Sequence, residues 1–373
     1  MKYTLAITQN CNLACDYCYI EKKNVTMDLS TARRIIDFIF GNVPFDDKID
    51  IGFFGGEPML EFELIKDITT IIQDHKKFDP KKITISITTN GTIVSEHILE
   101  FIANNNLVLC ISCDGPPQVH DRFRNFPNGR KSSHIVEQNI RQALNHFPMI
   151  PVNSVYGVET LKSLPDTVDY MVSLGVSNIY LNPDISAYWT AKEADDLSEI
   201  YEIIGEKYLE YYRRGTPKYI SLIDGKIAVI MRGGYKPNER CSMGKGEFAF
   251  SPLGNIYPCE RFIGSDEGLT HCLGNINEGI IKANQCQSIL TTAQNSECQT
   301  CGLKDYCMNW CGCTNYFGTG RYDVVSPFIC ASEKEAIKVA FGIIQRGDEK
   351  WINLFSDHLA GIPQMNVIES FGK

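Results

Sequence analysis

Cys11, Cys15 and Cys18 lie in one short stretch, Cys11-Asn-Leu-Ala-Cys15-Asp-Tyr-Cys18. Cysteines this close together make no sensible disulfide set. Three thiolates are good ligands for a soft metal centre, yet they fall one short of a closed four-ligand site. An iron–sulfur cube held by three cysteines keeps one iron without a protein ligand, and that iron can take an exogenous one. A structural zinc loop is the competing reading, but zinc sites favour C-x2-C pairs with a fourth ligand. A second set lies far along the chain: Cys298-x2-Cys301-x5-Cys307-x3-Cys311, followed by Cys313 and Cys330. It is preceded by Cys241 and Cys259, with Gly254 between them. A zinc ribbon competes with iron there. The chain has 15 cysteines, and in a reducing compartment so many indicate metal rather than disulfides.

The elements that must hold these residues alternate through the first half. Strands are expected at Tyr3–Thr8, Ile49–Phe54, Ile83–Thr88, Leu107–Cys113, Val152–Val158 and Asn178–Leu181. Helices are expected at Leu29–Phe40, Phe62–His75, Ser95–Ala103, Ser133–Asn145 and Leu161–Leu174. Ile35, Ile36, Ile39 and Phe40, for instance, recur at helical spacing behind an Asp28 or Ser30 cap. Repeated β–α units imply an α/β fold with a parallel sheet and right-handed crossovers. Six of them fit an open partial (β/α)6 TIM-like barrel better than a closed eight-fold one. In such barrels chemistry gathers where the strands end. Cys11–Cys18, Gly55–Pro58, Thr89–Gly91, Ser112–Gly115 and Asn182–Pro183 all follow strands, and would face one mouth. Cys110 and Cys113, spaced C-x2-C on a strand, would point to opposite faces and are read as packing residues.

The second half reads differently. Long helices are expected at Tyr188–Arg214 and Ile220–Met231, with Gly233-Gly234 as a hinge. Glu247–Ser251 and Asn255–Tyr257 flank Pro-Leu-Gly as a β-hairpin that folds Cys259 back towards Cys241. Ser332–Arg346 is amphipathic, and the tail beyond it carries no clear pattern. The cysteine-rich composition from Cys241 to Cys330 suggests the division 1–187, 188–234, 235–335 and 336–373, the last a helical tail. The 373 residues have room for such a division. A net charge of −9 without a Lys/Arg cluster argues against nucleic-acid and membrane-surface partners. No secretory segment or bilayer-length apolar run is present, so a cytoplasmic protein is expected.

The spacing C-x3-C-x2-C, with the aromatic Tyr17 before the third cysteine, resembles the signature of radical S-adenosylmethionine (SAM) enzymes. The resemblance implies a [4Fe-4S] cluster on Cys11, Cys15 and Cys18, its open iron chelated by the amino and carboxylate groups of SAM. Gly55-Gly56-Glu57-Pro58 resembles the segment whose backbone and glutamate hold the SAM amino group. Read alone, a glycine pair is also a plain turn. By the same resemblance Asn90 and Ser112 would hold the ribose and carboxylate of SAM. Tyr17, Tyr19 and Leu181 would lie near its adenine. Asn90-Gly91 is equally a turn signal. Asp114 to Arg122 resembles a stretch common in one subfamily, in which His120 is either a structural hydrogen-bonder or a catalyst.

The order C-x(9–15)-G-x4-C, C-x2-C-x5-C-x3-C, C resembles the SPASM domain of that subfamily, which carries two auxiliary iron–sulfur clusters. The resemblance implies Cys298, Cys301, Cys307 and Cys330 for the outer cluster and Cys241, Cys259 and Cys311 for the inner one, [2Fe-2S] or [4Fe-4S]. Some relatives place a further cysteine in the window that here reaches Glu247. Cys313 is the fourth ligand chosen, with an open, substrate-binding iron as the alternative. Cys272 and Cys286 are left as buried thiols. Glu260 takes the position of an aspartate base in sulfatase-maturing relatives, and the competing reading is a surface pair with Arg261.

Resemblance covers residues 3–185 and 235–335. It implies an oxidoreductase that cleaves SAM reductively to a 5′-deoxyadenosyl radical and removes a hydrogen atom, an electron and a proton from its substrate. The first expectation is a maturase of a ribosomally made peptide (RiPP) that forms a C–C or thioether crosslink. The second is an anaerobic sulfatase-maturing enzyme converting Cys or Ser to formylglycine. A non-catalytic iron–sulfur electron carrier is a third, although it needs neither Gly55–Pro58 nor a three-cysteine site. Partners would be the peptide or protein substrate and an external donor of flavodoxin or ferredoxin type. Because Cys11 comes early, leader recognition would fall to a separate protein or to a surface of the enzyme.

Overall fold

In the computed structural model, which describes residues 1–42, 48–236, 239, 241–267, 270–281, 296–308 and 311–360, the alternating segments of the first half form strands. They are β1 (Lys2–Thr8), β2 (Ile49–Gly55), β3 (Ile83–Thr89), β4 (Val108–Ser112), β5 (Pro151–Tyr156) and β6 (Asn178–Pro183). Short strands follow: β7 (Tyr219–Ile220), β8 (Glu247–Phe250), β9 (Asn255–Tyr257), β10 (Gly274–Asn275) and β11 (Gly279–Ile280). The chain divides into two units. The first comprises Met1–Ser112, Phe123–His146 and Ser242–Thr291, and the second Cys113–Arg122, Phe147–Cys241 and Thr292–Lys373.

In the first unit β8, β1, β2, β3 and β4 are parallel neighbours in that order. The hairpin expected around Pro-Leu-Gly forms as antiparallel β8–β9 and continues into β10 and β11. Burial alternates along β2 and β3: Ile49, Ile51 and Phe53, with Ile83, Ile85 and Ile87, are buried, and the residues between them are partly exposed. Each of those buried side chains stabilises the fold by roughly 1.5–3 kcal/mol. The opposite, partly open face carries Lys2, Asp50 and Glu247 in one lateral row, because Lys2 pairs with Asp50 on one side and Glu247 on the other.

Helices α1 (Leu29–Asn42), α2 (Phe62–Gln73) and α3 (Glu96–Asn104) bury the isoleucines of their apolar faces. Asp28 begins α1 by accepting from the Thr31 amide at 2.8 Å. Helix α4 (Pro117–Phe123), a stretch for which no element is expected from the sequence, opens on Pro117, and Pro at a first turn loses no helical hydrogen bond. Helix α5 (Ser133–His146) follows expectation.

In the second unit β5, β6 and β7 are parallel. The helix expected from Leu161 begins as a 3-10 turn, Val158–Ser163. Its α-helical part, α6 (Leu164–Ser173), starts where Pro165 falls in the first turn. Helices α7 (Ala191–Arg213) and α8 (Ser221–Met231) precede the cysteine-rich region, which carries α9 (Ser296–Gln299) and α10 (Gly312–Thr319). Helix α11 (Pro327–Arg346) starts five residues before the expected Ser332. Ser326 caps it by accepting from Ile329, and Pro327 occupies the first turn. It packs on α7 so closely that a Cβ on Gly205 would lie 2.7 Å from Val339. Tyr156, Tyr201 and Ser332 share a buried hydroxyl chain. Helix α12 (Glu349–Ala360) occupies the unpatterned tail and buries Trp351, Phe355 and Leu359. Cys286 lies outside the described residues.

Candidate active site

The three-cysteine loop leaves the end of β1 and is clamped from two sides within the first unit. The Gly56 amide donates to Thr8 O at 2.8 Å and the Glu57 amide to Asn10 O at 2.9 Å. Backbones can approach this closely only without side chains. A Cβ on Gly55, whose φ is +134°, would lie 2.2 Å from Thr8 O, and one on Gly56 2.1 Å from Asn10 O. On the other side the amides of Ala14 and Asp16 donate to Asn125 O and Phe123 O. Tyr17 meets the Phe123 ring edge-on, and the Arg124 guanidinium stands over the Tyr17 ring at 5.3 Å.

Glu57 is completely buried. Its Oε1 accepts from the Met59 amide and the Thr89 hydroxyl, its Oε2 from the Asn90 amide, all within 2.9 Å. Burial raises its carboxyl above the ordinary range, and those three hydrogen bonds oppose the shift. The carboxylate thus clips the ends of β2 and β3 together. Asn90 continues the network: its amide nitrogen donates to Asn12 Oδ1 at 2.8 Å and to Cys11 Sγ at 3.8 Å. Asn90 Oδ1 accepts from the amide and hydroxyl of Thr92, whose hydroxyl also accepts from Asn12. Cys11 Sγ accepts the Leu13 amide too, while burial pushes its thiol up to about 11. A thiolate at this position therefore requires positive charge beside it, which iron would supply. Three sulfurs on one loop with N–H donors aimed at the first fit a cluster.

Ser112 ends β4, partly exposed, and Cys15 and Cys18 are half-buried and exposed. Tyr19 stacks on Phe54 with ring centres 6.1 Å apart; burial, then the Glu260 carboxylate, raises its hydroxyl well above the usual tyrosine value. Pro58 opens a short 3-10 turn capped by Glu57. Leu181 is buried on β6 in the second unit, and its amide donates to Ser221. His120 is fully buried and accepts from the Asp114 amide, a hydrogen-bonding role. Cys110 and Cys113 are buried, as packing residues are.

A second constellation in the first unit was only partly visible in the sequence. Lys2 Nζ lies 3.0 Å from Glu247 and 3.3 Å from Glu260. The ligand atoms of Glu247, Cys259 and Glu260 all fall within 4.8 Å of one another. Burial alone would raise the Glu260 carboxyl, but Lys2, then Arg261, outweigh it and hold the group below its ordinary value. A link to Lys2 on the first strand thus stands beside the Arg261 interaction of the competing reading. The segment after Glu260 is tied to the cysteine loop: Gly264 O accepts from the Gln9 side chain and the Glu21 amide. Sequence reasoning missed Lys2 and Arg124, and placed Asn12 and Thr89 at the strand ends without giving either a role. The available signal was weak, a lysine opening an otherwise apolar strand.

In the second unit Cys298, Cys301, Cys307 and Cys330 line one cavity, together with Glu333 and Lys334. Four sulfurs around one hollow fit a closed cluster site. Cys311 and Cys313 have their sulfurs 3.2 Å apart, and the Thr314 hydroxyl donates to Cys311. Cys241 also belongs to this unit, Cys259 to the first.

A family model described as the radical SAM superfamily matches residues 5–184. An uncharacterized protein of Methanocaldococcus jannaschii is 30% identical over 281 residues, 74% of this chain and 88% of that protein. The chain belongs to the radical SAM superfamily. The radical SAM cyclopropyl synthase TigE of Paramaledivibacter caminithermalis is 25% identical, over 82% of this chain and 66% of TigE. A cysteine-type anaerobic sulfatase-maturating enzyme of Clostridium novyi is 21% identical, over 82% and 85%. Among solved structures, anSMEcpe with bound AdoMet and Cp18Cys peptide superposes with a TM-score of 0.78 at 20% identity, covering 96% of this chain and all of that one. Streptococcus suis SuiB bound to precursor peptide SuiA gives 0.58 at 16% identity, covering 88% and 75%. These likenesses show the fold, the α/β partial barrel with a cysteine-rich C-terminal part. As a radical SAM enzyme related to such maturases the chain is not a simple electron carrier, and membership implies a [4Fe-4S] cluster with SAM. Among the described residues no helix is long and apolar enough to cross a membrane.

Proposed function

We propose that this radical SAM enzyme is a maturase of a ribosomally made peptide, oxidising it by two electrons to form a C–C or thioether crosslink. One observation carries the reading: cysteines are gathered at two separate places, the Cys11–Cys18 loop and the cavity of Cys298, Cys301, Cys307 and Cys330. A catalyst that only cleaves SAM needs the first. A net oxidation also needs an acceptor for the substrate's second electron, and a closed four-cysteine site suits electron transfer. Cys11, Cys15 and Cys18 would hold the first cluster, the cavity cysteines the outer auxiliary cluster, and Cys241, Cys259 and Cys311 the inner one. When bound, the first cluster and SAM supply a 5′-deoxyadenosyl radical, and the auxiliary clusters supply an electron acceptor.

The chain's own residues do the rest. Gly55 and Gly56 let the β2 loop press on the cysteine loop and set its position. Glu57 and Asn90 hold that position by filling their hydrogen bonds within the protein. Gly55–Pro58, Asn90, Ser112, Tyr17, Tyr19 and Leu181 are the proposed SAM contacts, with the Gly55–Pro58 backbone the best placed to receive an amino group. Glu260, held as a carboxylate by Lys2, takes the proton that leaves the substrate. A peptide substrate is supported by the relatives, since anSMEcpe and SuiB are described with bound peptides. An external donor of flavodoxin or ferredoxin type and a separate leader-binding protein complete the proposed partners, and residues 235–335 the SPASM domain.

Mass spectrometry of a short peptide encoded beside the gene, incubated anaerobically with reconstituted enzyme, SAM and reductant, tests the reading. Loss of two hydrogens per modification, in step with 5′-deoxyadenosine, is expected. SAM cleavage beside an unchanged peptide would discard this substrate. Sulfatase maturation is the second reading, favoured by the near full-length match to anSMEcpe. A sulfatase-type Cys peptide gaining an aldehyde would establish it.

A further inference from the structure

We propose that Asp266 is a positioning residue for the three-cysteine loop: it locks residues 260–267 into a brace against the chain on both sides of that loop. The role goes beyond the maturase reading and concerns only the Cys11–Cys18 site of the superfamily. Every residue of the brace and of the chain that it holds lies in the first unit.

Asp266 stands out by its backbone. Its φ is +58°, and Asn106 is the one other non-glycine residue with a positive φ among the described residues. The left-handed region is costly for an L-residue, and such strain persists only where surrounding contacts over-determine it. Here the side chain makes those contacts. Asp266 is 6% exposed, and its Oδ1 accepts from the Tyr257 hydroxyl at 2.7 Å and the Asn255 side-chain amide at 3.0 Å. Both donors stand on β9, and Tyr257 is itself buried. The Asp266 amide donates back to Ile263 O at 2.8 Å and closes the turn. At the other end of the segment the Phe262 amide donates to Cys259 O at 3.1 Å, and Phe262 and Ile263 are buried.

Between these fixed ends the segment offers its carbonyls to the chain around the cysteines. Gly264 O accepts from the Glu21 amide at 3.1 Å and from the buried Gln9 side chain at 3.2 Å. Ser265 O accepts from Lys23 Nζ at 2.7 Å. Gln9 precedes Cys11 and Glu21 follows Cys18, so the loop is held at both ends. The Lys23 amide donates to Gln9 O at 3.3 Å and joins those ends to each other. The Lys23–Glu267 ion pair adds little, because the Glu267 side chain is 76% exposed. Gly264, at φ +52°, has no side chain to hold it, so the direction of its carbonyl depends on its neighbours. The buried carboxylate of Asp266 is the neighbour that fixes it.

Hydrogen–deuterium exchange of the anaerobically reconstituted full-length protein, read by mass spectrometry, tests the brace. Asp266→Gly keeps the left-handed backbone and deletes the acceptor. Asp266→Asn keeps both, since the oxygen it replaces, Oδ2, has no hydrogen-bond partner among the described residues. In Asp266→Gly the amides of residues 9–25 are expected to exchange roughly ten-fold faster. Parent rates in Ile49–Gly55 and Ile83–Thr89 would show that the variant is folded. Tyr257→Phe, which loses one donor, should show a smaller change at the same places, and Asp266→Asn should stay near the parent. Formation of 5′-deoxyadenosine should fall about ten-fold or more in Asp266→Gly and recover in Asp266→Asn. Faster exchange confined to residues 260–267 would overturn the proposal. So would parent-like exchange in Asp266→Gly, or equal damage in the Gly and Asn variants. Fast exchange at residues 9–25 with a full rate of SAM cleavage would overturn the positioning role as well.

Discussion

A Cβ on Gly56 would stand 2.1 Å from the carbonyl oxygen of Asn10, one residue before the first cysteine of the loop. Both partners are backbone, so neither can swing aside as a flexible side chain would. Gly56→Ala should therefore displace the Cys11–Cys18 loop. A shift near 1 Å at a reacting centre can cost about 100-fold in rate, and a loss of that order in 5′-deoxyadenosine formation is expected. The control is Gly225→Ala on α8, where a Cβ meets nothing within 4 Å, and which should leave SAM cleavage unchanged.

Glu57 should behave as a structural clip before anything else. Glu57→Ala leaves the buried amides of Met59 and Asn90 without their acceptor. Each such loss costs about 1–3 kcal/mol, so the apparent thermal midpoint of the apo-protein should fall markedly. Thr89→Val removes one hydroxyl bond to the same carboxylate and should cost about 1 kcal/mol. A Glu57→Ala variant as stable as the parent that no longer bound SAM would show a ligand's role instead.

These two cases mark what local sequence can and cannot carry. The cysteine loop, the glycine pair and the Asn90 turn were legible because each is contiguous and follows an apolar alternating strand. What Glu57 touches was not legible, since Thr89 and Asn90 reach it only once β2 and β3 pair. Lys2 and Glu247 are 245 residues apart, and only parallel pairing of β1 with β8 makes them neighbours. The start of α11 was readable in Ser326-Pro327, an ordinary cap signal, but Cys330 drew that stretch into the cysteine-rich loop. Helix α4 was hidden by Gly-Pro-Pro. Local pattern therefore carried the elements and the three-cysteine loop, while register decided which residues face it.

Asp224 gives a pH dependence with a definite sign. Burial pushes its carboxyl up to about 8, although the Ile220 amide at 2.6 Å and the Tyr208 hydroxyl at 3.0 Å both donate to it. In the unfolded chain an aspartate titrates near 3.9. The folded state thus holds this proton more tightly. The contribution to stability is complete below about pH 4 and declines as pH rises through about 8. Asp224→Asn removes the titration. Its apparent thermal midpoint, compared with the parent's from about pH 5 to about 8, should move steadily in the variant's favour. A constant difference across that range would refute the assignment.

Lys226 and Glu333 form an ion pair of 2.6 Å with side chains 7% and 18% exposed, beside the cavity lined by Cys298, Cys301, Cys307 and Cys330. Glu333 also accepts the Met308 amide at 2.5 Å, so it holds the chain just after Cys307. Removing the ammonium strands a carboxylate next to four sulfurs, and breaking a buried pair from one side typically costs about 3–5 kcal/mol. Lys226→Met should therefore lower the apparent thermal midpoint sharply and reduce the iron retained after anaerobic reconstitution. Glu333→Gln, which keeps an acceptor for Met308, should do less harm. Combining the two should recover stability relative to Lys226→Met alone, because no isolated charge remains. A double-mutant cycle on the reconstituted protein measures this coupling, expected at about 1–3 kcal/mol. Strictly additive losses would mean that the pair merely borders the cavity and does not balance its charge.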